Sequence, residues 1–260
     1  MTDWKDRLPA RVWAALIHLG LSLLIAALAS ALVFGLWYPY PYREISGGRE
    51  LFLIVVAVDV ILGPLLTLTV FNLKKPRKEL RRDLGVIGLL QLLALCYGLW
   101  TVFVARPVHL VFEIDRFRVV HAIEIPEDFT GKLAEDINAQ PLWGPGMLSV
   151  RPFKDAAESF EATQVALSGI PLAAQPGLWE PYSQARERVL KEAKPVDALK
   201  KRFPAQAAAI DTLLAEHLAP NKAKPAALVY LPMVGRKSFW TVFIDPHTAQ
   251  VVAFMPLDSF

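Results

Sequence analysis

The chain has 260 residues, of which 54% are hydrophobic, and its mean hydropathy of +0.35 lies above the range usual for water-soluble proteins. Its formal charge of +3 is unevenly spread: residues 1–106 carry 12 Lys/Arg against 7 Asp/Glu, and the remainder carry 16 against 18. A slightly acidic second part argues against a nucleic-acid partner, and a single cysteine, Cys96, leaves no disulfide framework, CxxC redox pair or thiolate zinc site.

Three apolar runs approach or exceed the roughly 20 residues needed to cross about 30 Å of hydrocarbon, spanning about 13–38, 51–72 and 84–104. Trp37 and Tyr38 close the first and Trp100 nears the end of the third, where amphipathic aromatics favour a membrane interface. Lys5, Arg7, Arg11 and Ala27-Leu28-Ala29 also resemble a cleaved signal peptide, but the run continues to Trp37, which suits an uncut anchor.

Loop charge sets the direction. The segment between the second and third runs holds Lys74, Lys75, Arg77, Lys78, Arg81 and Arg82, whereas that between the first and second holds only Arg43 and Arg49. The positive-inside rule places the basic loop and the N-terminus in the cytoplasm, with everything after Arg106 on the opposite side, the periplasm of a bacterium with two membranes. Besides fixing topology, the basic loop is a candidate contact for anionic lipid or for cytoplasmic machinery.

Asp59 lies inside the second run, where a carboxyl costs roughly 2.5 to 3.5 kcal/mol on insertion scales and therefore asks for a helix or ligand partner. At 1.5 Å per residue it sits roughly 12 Å below the outer end, level with Tyr97 of the antiparallel third run. His18 and Gln91 lie about 8 to 10 Å from the opposite end, which predicts a second polar contact. Gly63-Pro64 follows Asp59 and predicts a kink, because proline removes a helical hydrogen bond.

After Arg106, Val108–Ile114 and Phe117–Val120 read as a β-hairpin across Asp115-Arg116, and a further strand is expected near Met147–Val150. Helical patterning covers Lys154–Leu167, Ser183–Ala193 and Ala205–His217; strands return at Ala227–Pro232, Lys237–Ile244 and Gln250–Met255. The expected fold class is three transmembrane α-helices (residues 1–106) followed by an α+β domain (107–260) with antiparallel strands at both ends, the terminal strands sharing one sheet.

Chemistry is scarce in this second part. His109, His121, His217 and His247 are too widely spaced for a local metal motif, and no nucleophile elbow, P-loop or HExxH occurs, so neither a catalytic residue nor a cofactor or metal site is assigned. The pairs Glu127-Asp128 and Glu135-Asp136 read as solvated. Trp143 and Trp179 stand in Pro/Gly-rich segments, where an aromatic either anchors a partner or pins its own loop.

The chain resembles the type IV pilin accessory proteins of the TfpX/TfpZ kind. The resemblance rests on Ile17-His18-Leu19-Gly20, Trp37-Tyr38-Pro39, Asp59 to Leu68, Phe71 to Arg77, Glu79 to Leu84 and Arg106-Pro107 to Phe117, and beyond these on Asp245-Pro246 and Pro256-Leu257-Asp258. Ala249 stands where glycine is expected in the turn after Asp245. The resemblance implies a non-catalytic inner-membrane factor that promotes assembly or export of a cognate major pilin, alone or with other pilus assembly components. Asp59, Gly63, Pro64 and Tyr97 are then candidates for meeting a pilin helix, with His18 and Gln91 as further polar positions, and the soluble domain for meeting its head. A ligand-binding sensor, or a membrane-embedded hydrolase using Asp59, are the other readings; the sensor lacks a cytoplasmic domain to receive a signal and the hydrolase lacks a second acid.

Overall fold

The structure, a computed structural model, describes residues 4–126, 133, 137–217 and 228–260. The chain forms two units, one of Met1–Pro39 with Gly48–Ala105 and the other of Tyr40–Gly47 with Arg106–Phe260. The acidic pairs Glu127-Asp128 and Glu135-Asp136 lie outside the described residues.

The first unit is helical. Helix α1 (Trp4–Leu32) runs into a π turn at Val33–Trp37; the short helix α2 (Tyr42–Ile45) belongs to the other unit. Helices α3 (Gly48–Ala57) and α4 (Gly63–Val70) make one rod through a second π turn at Val58–Leu62, and α5 (Arg77–Val104) is the third long helix. Ala10–Trp37, Gly48–Val70 and Arg77–Val104 are each long and apolar enough to cross a membrane. Their polarity is inverted relative to a soluble bundle: Leu21, Leu65 and Leu92 are exposed while Ser22, Asp59 and Thr67 are buried. That arrangement is the one expected of helices whose outer faces meet lipid.

The irregularity foreseen at Gly63-Pro64 takes the form of the π turn. Pro64 has no N–H for the carbonyl of Val60, and the widened turn ahead of it re-registers the ladder. The far end of the unit is tightly packed. Tyr38 donates its hydroxyl hydrogen bond to the Val102 carbonyl at 3.1 Å, its ring occupies the space a Cβ on Gly48 would need, and Trp37 meets Phe103 edge-on at 5.0 Å.

The second unit is built on a single eight-stranded sheet with helices on both faces. Strands β1 (Pro107–Glu113), β2 (Arg116–His121), β3 (Gly146–Val150), β4 (Trp179–Pro181), β5 (Lys194–Pro195), β6 (Val229–Val234), β7 (Phe239–Ile244) and β8 (Val251–Met255) are ordered β4-β3-β1-β2-β6-β7-β8, with β5 on the edge of β6. The expected hairpin forms, and the terminal strands do share the sheet.

The expectation of purely antiparallel strands is corrected: the sheet is mixed. β1 pairs parallel with β3 and β2 parallel with β6, through Phe117–Met233 and Arg118–Val234. Both pairs are closed by long connections, which is what a parallel pair requires.

One face is covered by helix α7 (Arg186–Glu192) and by α2, whose Tyr42 and Ile45 pack with Leu110, Phe112, Leu231 and Trp240. The other face carries α6 (Ala156–Leu167) at the β3 end, and α8 (Val196–Arg202) with α9 (Ala207–His217) at the β8 end. Coverage on both sides explains why β1 is buried along its whole length.

Segment 40–47, which the hydropathy reading leaves with the helices, is thus part of this core. Ile45 is fully buried, its carbonyl accepts from the Lys237 N–H at 3.1 Å, and a Cβ on Gly235 would overlap its side chain. Burial pushes the Tyr42 hydroxyl above the usual phenol range.

Candidate functional site

Helices α1 and α5 both lie against the rod formed by α3 and α4, leaving a groove between them in the first unit. Its cavity has a volume of about 330 Å³. His18, Ser22 and Ile25 of α1 line one wall; Gly88, Gln91 and Leu95 of α5 line the other; Asp59, in the π turn, forms part of the floor. The wall residues recur at helical spacings of three and four, so each helix presents one face to the cavity.

Three of the polar residues singled out from sequence therefore line one cavity. Asp59 is 7% exposed and its Oδ1 makes no hydrogen bond among the described residues. Gln91 Nε2 donates to the Asp59 carbonyl at 3.1 Å, an arrangement that fixes the amide orientation and leaves Gln91 Oε1 without a partner. His18 Nδ1 lies 2.5 Å from Thr67 Oγ1, tying α1 to α4 rather than to α5. Gln91 packs so closely that a Cβ on Gly63 would overlap its amide, which gives Gly63 a reason beyond the π turn that precedes it.

The expected Tyr97–Asp59 contact does not form. Tyr97 is 69% exposed and stacks at 6.1 Å against Trp100 on the outer surface. The reason is a boundary: the second long helix begins at Gly48, three residues before the apolar run, so Asp59 lies about 16 Å along the axis, near the level of Gln91. Ser22, Thr67 and Gly88 escaped the sequence reading, although each is a small or polar residue in an apolar run, which is the available signal.

The basic loop ends on the first turn of α5. Arg77 and Lys78 occupy the first turn of that helix, at the positive end of its dipole, where a cation is unfavourable by roughly 0.3–1 kcal/mol, and Arg81 and Arg82 follow in the second turn. The first-turn pair therefore does not serve helix stability. Lys74 is exposed, and Lys75 pairs with Asp83 at 2.6 Å.

In the second unit the two tryptophans part ways. Trp179 is 5% exposed, donates to the Ala173 carbonyl at 2.8 Å and meets the His109 ring edge-on at 4.8 Å; it pins its own segment to the core and presents no surface. Trp143 is 69% exposed beside exposed Leu142, in a loop whose Pro141 carbonyl accepts from the buried Arg106 guanidinium at 3.3 Å. A polar cleft of about 240 Å³ contains Arg151, Lys154, Glu158 and Gln175. Its charges are satisfied internally: Arg151 grips Glu158 with bonds of 2.6 and 2.8 Å, which together with the Lys154 N–H holds that carboxyl at about 2. No cluster of His, Cys, Asp or Glu suited to a metal ion occurs among the described residues.

The family described as Fimbrial assembly protein FimB matches residues 3–47. The serogroup I fimbrial assembly protein of Dichelobacter nodosus is 36% identical over 94% of this chain and 94% of its own length, and the serogroup E1 protein of that organism is 32% identical over the same shares. A third, from serogroups C1 and C2, is 44% identical over 40% of this chain and 79% of its own length. No solved structure matches the chain.

Proposed function

We propose that this chain, which belongs to the fimbrial assembly protein family, is a non-catalytic accessory factor that binds the major subunit of a type IV pilus and promotes its assembly or export. The observation that carries the reading is the relationship to fimbrial assembly proteins along 94% of the chain, helices and sheet domain alike. In this reading the helices cross the bacterial inner membrane three times, the N-terminus and the basic loop face the cytoplasm, and the sheet domain faces the periplasm. The six cations of the loop support that orientation, and the exposure of Lys74, Arg77, Lys78, Arg81 and Arg82 lets them also meet anionic lipid.

A subunit waiting in the membrane with an apolar helix and a periplasmic head needs a partner in both compartments, and this chain has a polar-floored groove in one unit and an exposed Leu142-Trp143 loop on the other. Among the described residues Asp59 is the single carboxylate lining the groove, which weighs against hydrolysis by paired acids. Deletion of the gene tests the proposal. Surface pili fall while transcript of the subunit stays constant, and the full chain supplied in trans restores them; unaltered piliation contradicts it.

A further inference from the structure

We infer that the groove between α1 and α5 is a docking slot for one apolar helix of the pilus subunit, and that this helix brings a hydrogen-bond donor to Asp59 and Gln91. The inference rests on the proposed function for the identity of the partner and on the groove alone for its chemistry.

The groove selects its occupant by what it leaves unsatisfied. Asp59 Oδ1 and Gln91 Oε1 are both buried, both acceptors and both without a hydrogen-bond partner among the described residues. Unpaired buried acceptors in an apolar setting are costly, and two of them on one wall and floor call for an N–H or O–H from outside the chain. Both residues line the cavity, and turning the Asp59 carboxyl about its broad terminal torsion, with exchange of the Gln91 Nε2 bond to the Asp59 carbonyl, presents these oxygens to a donor there. A carboxylate at that position complements a hydroxyl, amide or ammonium and repels a second acid.

The shape of the groove suits a helix. The walls offer small residues where close approach is needed, Ser22 on α1 and Gly88 on α5, and a Cβ added to Gly88 would meet nothing within 4 Å. Leucine and isoleucine flank them, with Leu21 and Leu92 exposed at the rim. One small residue on each wall, bounded by larger ones three and four residues away, leaves room for the backbone of another helix to approach.

Photo-crosslinking in the intact membrane decides the matter, with the full chain and the pilus subunit produced in the same cell. A photoreactive residue at Leu92, on the groove wall, is compared with one at Leu90, exposed on the opposite side of α5. The expected result is an adduct to the subunit's apolar helix at least 10-fold stronger from position 92. Asp59→Leu and Gln91→Leu, each present in the membrane at the unsubstituted level, reduce that adduct at least 10-fold. Equal adducts from both positions, or adducts from Leu92 only to lipid or to a second copy of this chain, overturn the inference. If the subunit co-purifies with the full chain while Leu92 yields no adduct to it, the groove assignment fails and the assembly role stands; if the subunit neither co-purifies nor crosslinks, both fall.

Discussion

Single residues carry the sharpest physical signatures. His109 is 3% exposed, with Nε2 3.1 Å from the Ala139 carbonyl and Nδ1 unpartnered, and burial holds the ring's pKa at about 4 against an ordinary 6.5. The ring is neutral in the fold, so the unfolded chain takes up the proton first as pH falls. The stability it confers is present above pH 6.5 and is lost as pH falls through about 4, a change of about 3 kcal/mol. Denaturant titration of the detergent-solubilised chain at pH 7 and pH 4.5 shows this loss, and His109→Gln flattens it; an unchanged pH slope in the variant contradicts the assignment. Ala249 makes a different point. Its φ of +60° is left-handed, the conformation for which glycine is expected in that turn, and Asp245 sustains it by accepting from the His247 and Thr248 N–H groups at 2.7 and 3.1 Å. Burial alone would raise the Asp245 carboxyl, but these two donors outweigh it and lower it. Asp59, His18 and Gln91 were visible in the sequence because polarity in an apolar run is conspicuous. Which of them meet was not, because that depends on where each helix starts.

At the scale of elements, close approach is set by glycines. Gly98 of α5 lies against Val55 of α3, so that an added Cβ would come within 2.6 Å of it, and Gly63 lies against Gln91. Gly98→Leu is expected to separate the two helices and lower the yield of monodisperse protein in detergent several-fold, whereas Gly85→Leu, in open space, leaves it unchanged. The segment holding α2 is the element least legible beforehand. Its eight residues sit between two apolar runs, and nothing in their composition states that Ile45 completes the core of a sheet far along the chain. Ile45→Ala should cost about 2–4 kcal/mol in denaturant unfolding, as for other fully buried aliphatic truncations; a loss below about 1 kcal/mol would mean the segment is not part of that core. β1, β2, β3, β6, β7 and β8 stand where the β-branched and aromatic runs predict strands, whereas β4 and β5, three and two residues long, carry no such run. The parallel pairings were not legible, since β2 meets β6 across more than a hundred residues and local pattern is silent on such partners.

For the molecule as a whole, the hydropathy contrast separated a helical unit from a sheet domain, and the loop charges supplied a direction. Reporter fusions after Lys75 and at the C-terminus check that direction: a phosphatase active only outside the cytoplasm is expected to be silent at the first site and active at the second, and the reverse would invert the topology. The similarity to relatives named as fimbrial assembly proteins extends over both units. The most direct test of the proposed function is co-purification. Tagged full-length chain, extracted in mild detergent from cells making the pilus subunit at its normal level, is expected to retain that subunit in a defined ratio, whereas an unrelated three-helix membrane protein of similar abundance does not. Equal recovery with both would contradict the account.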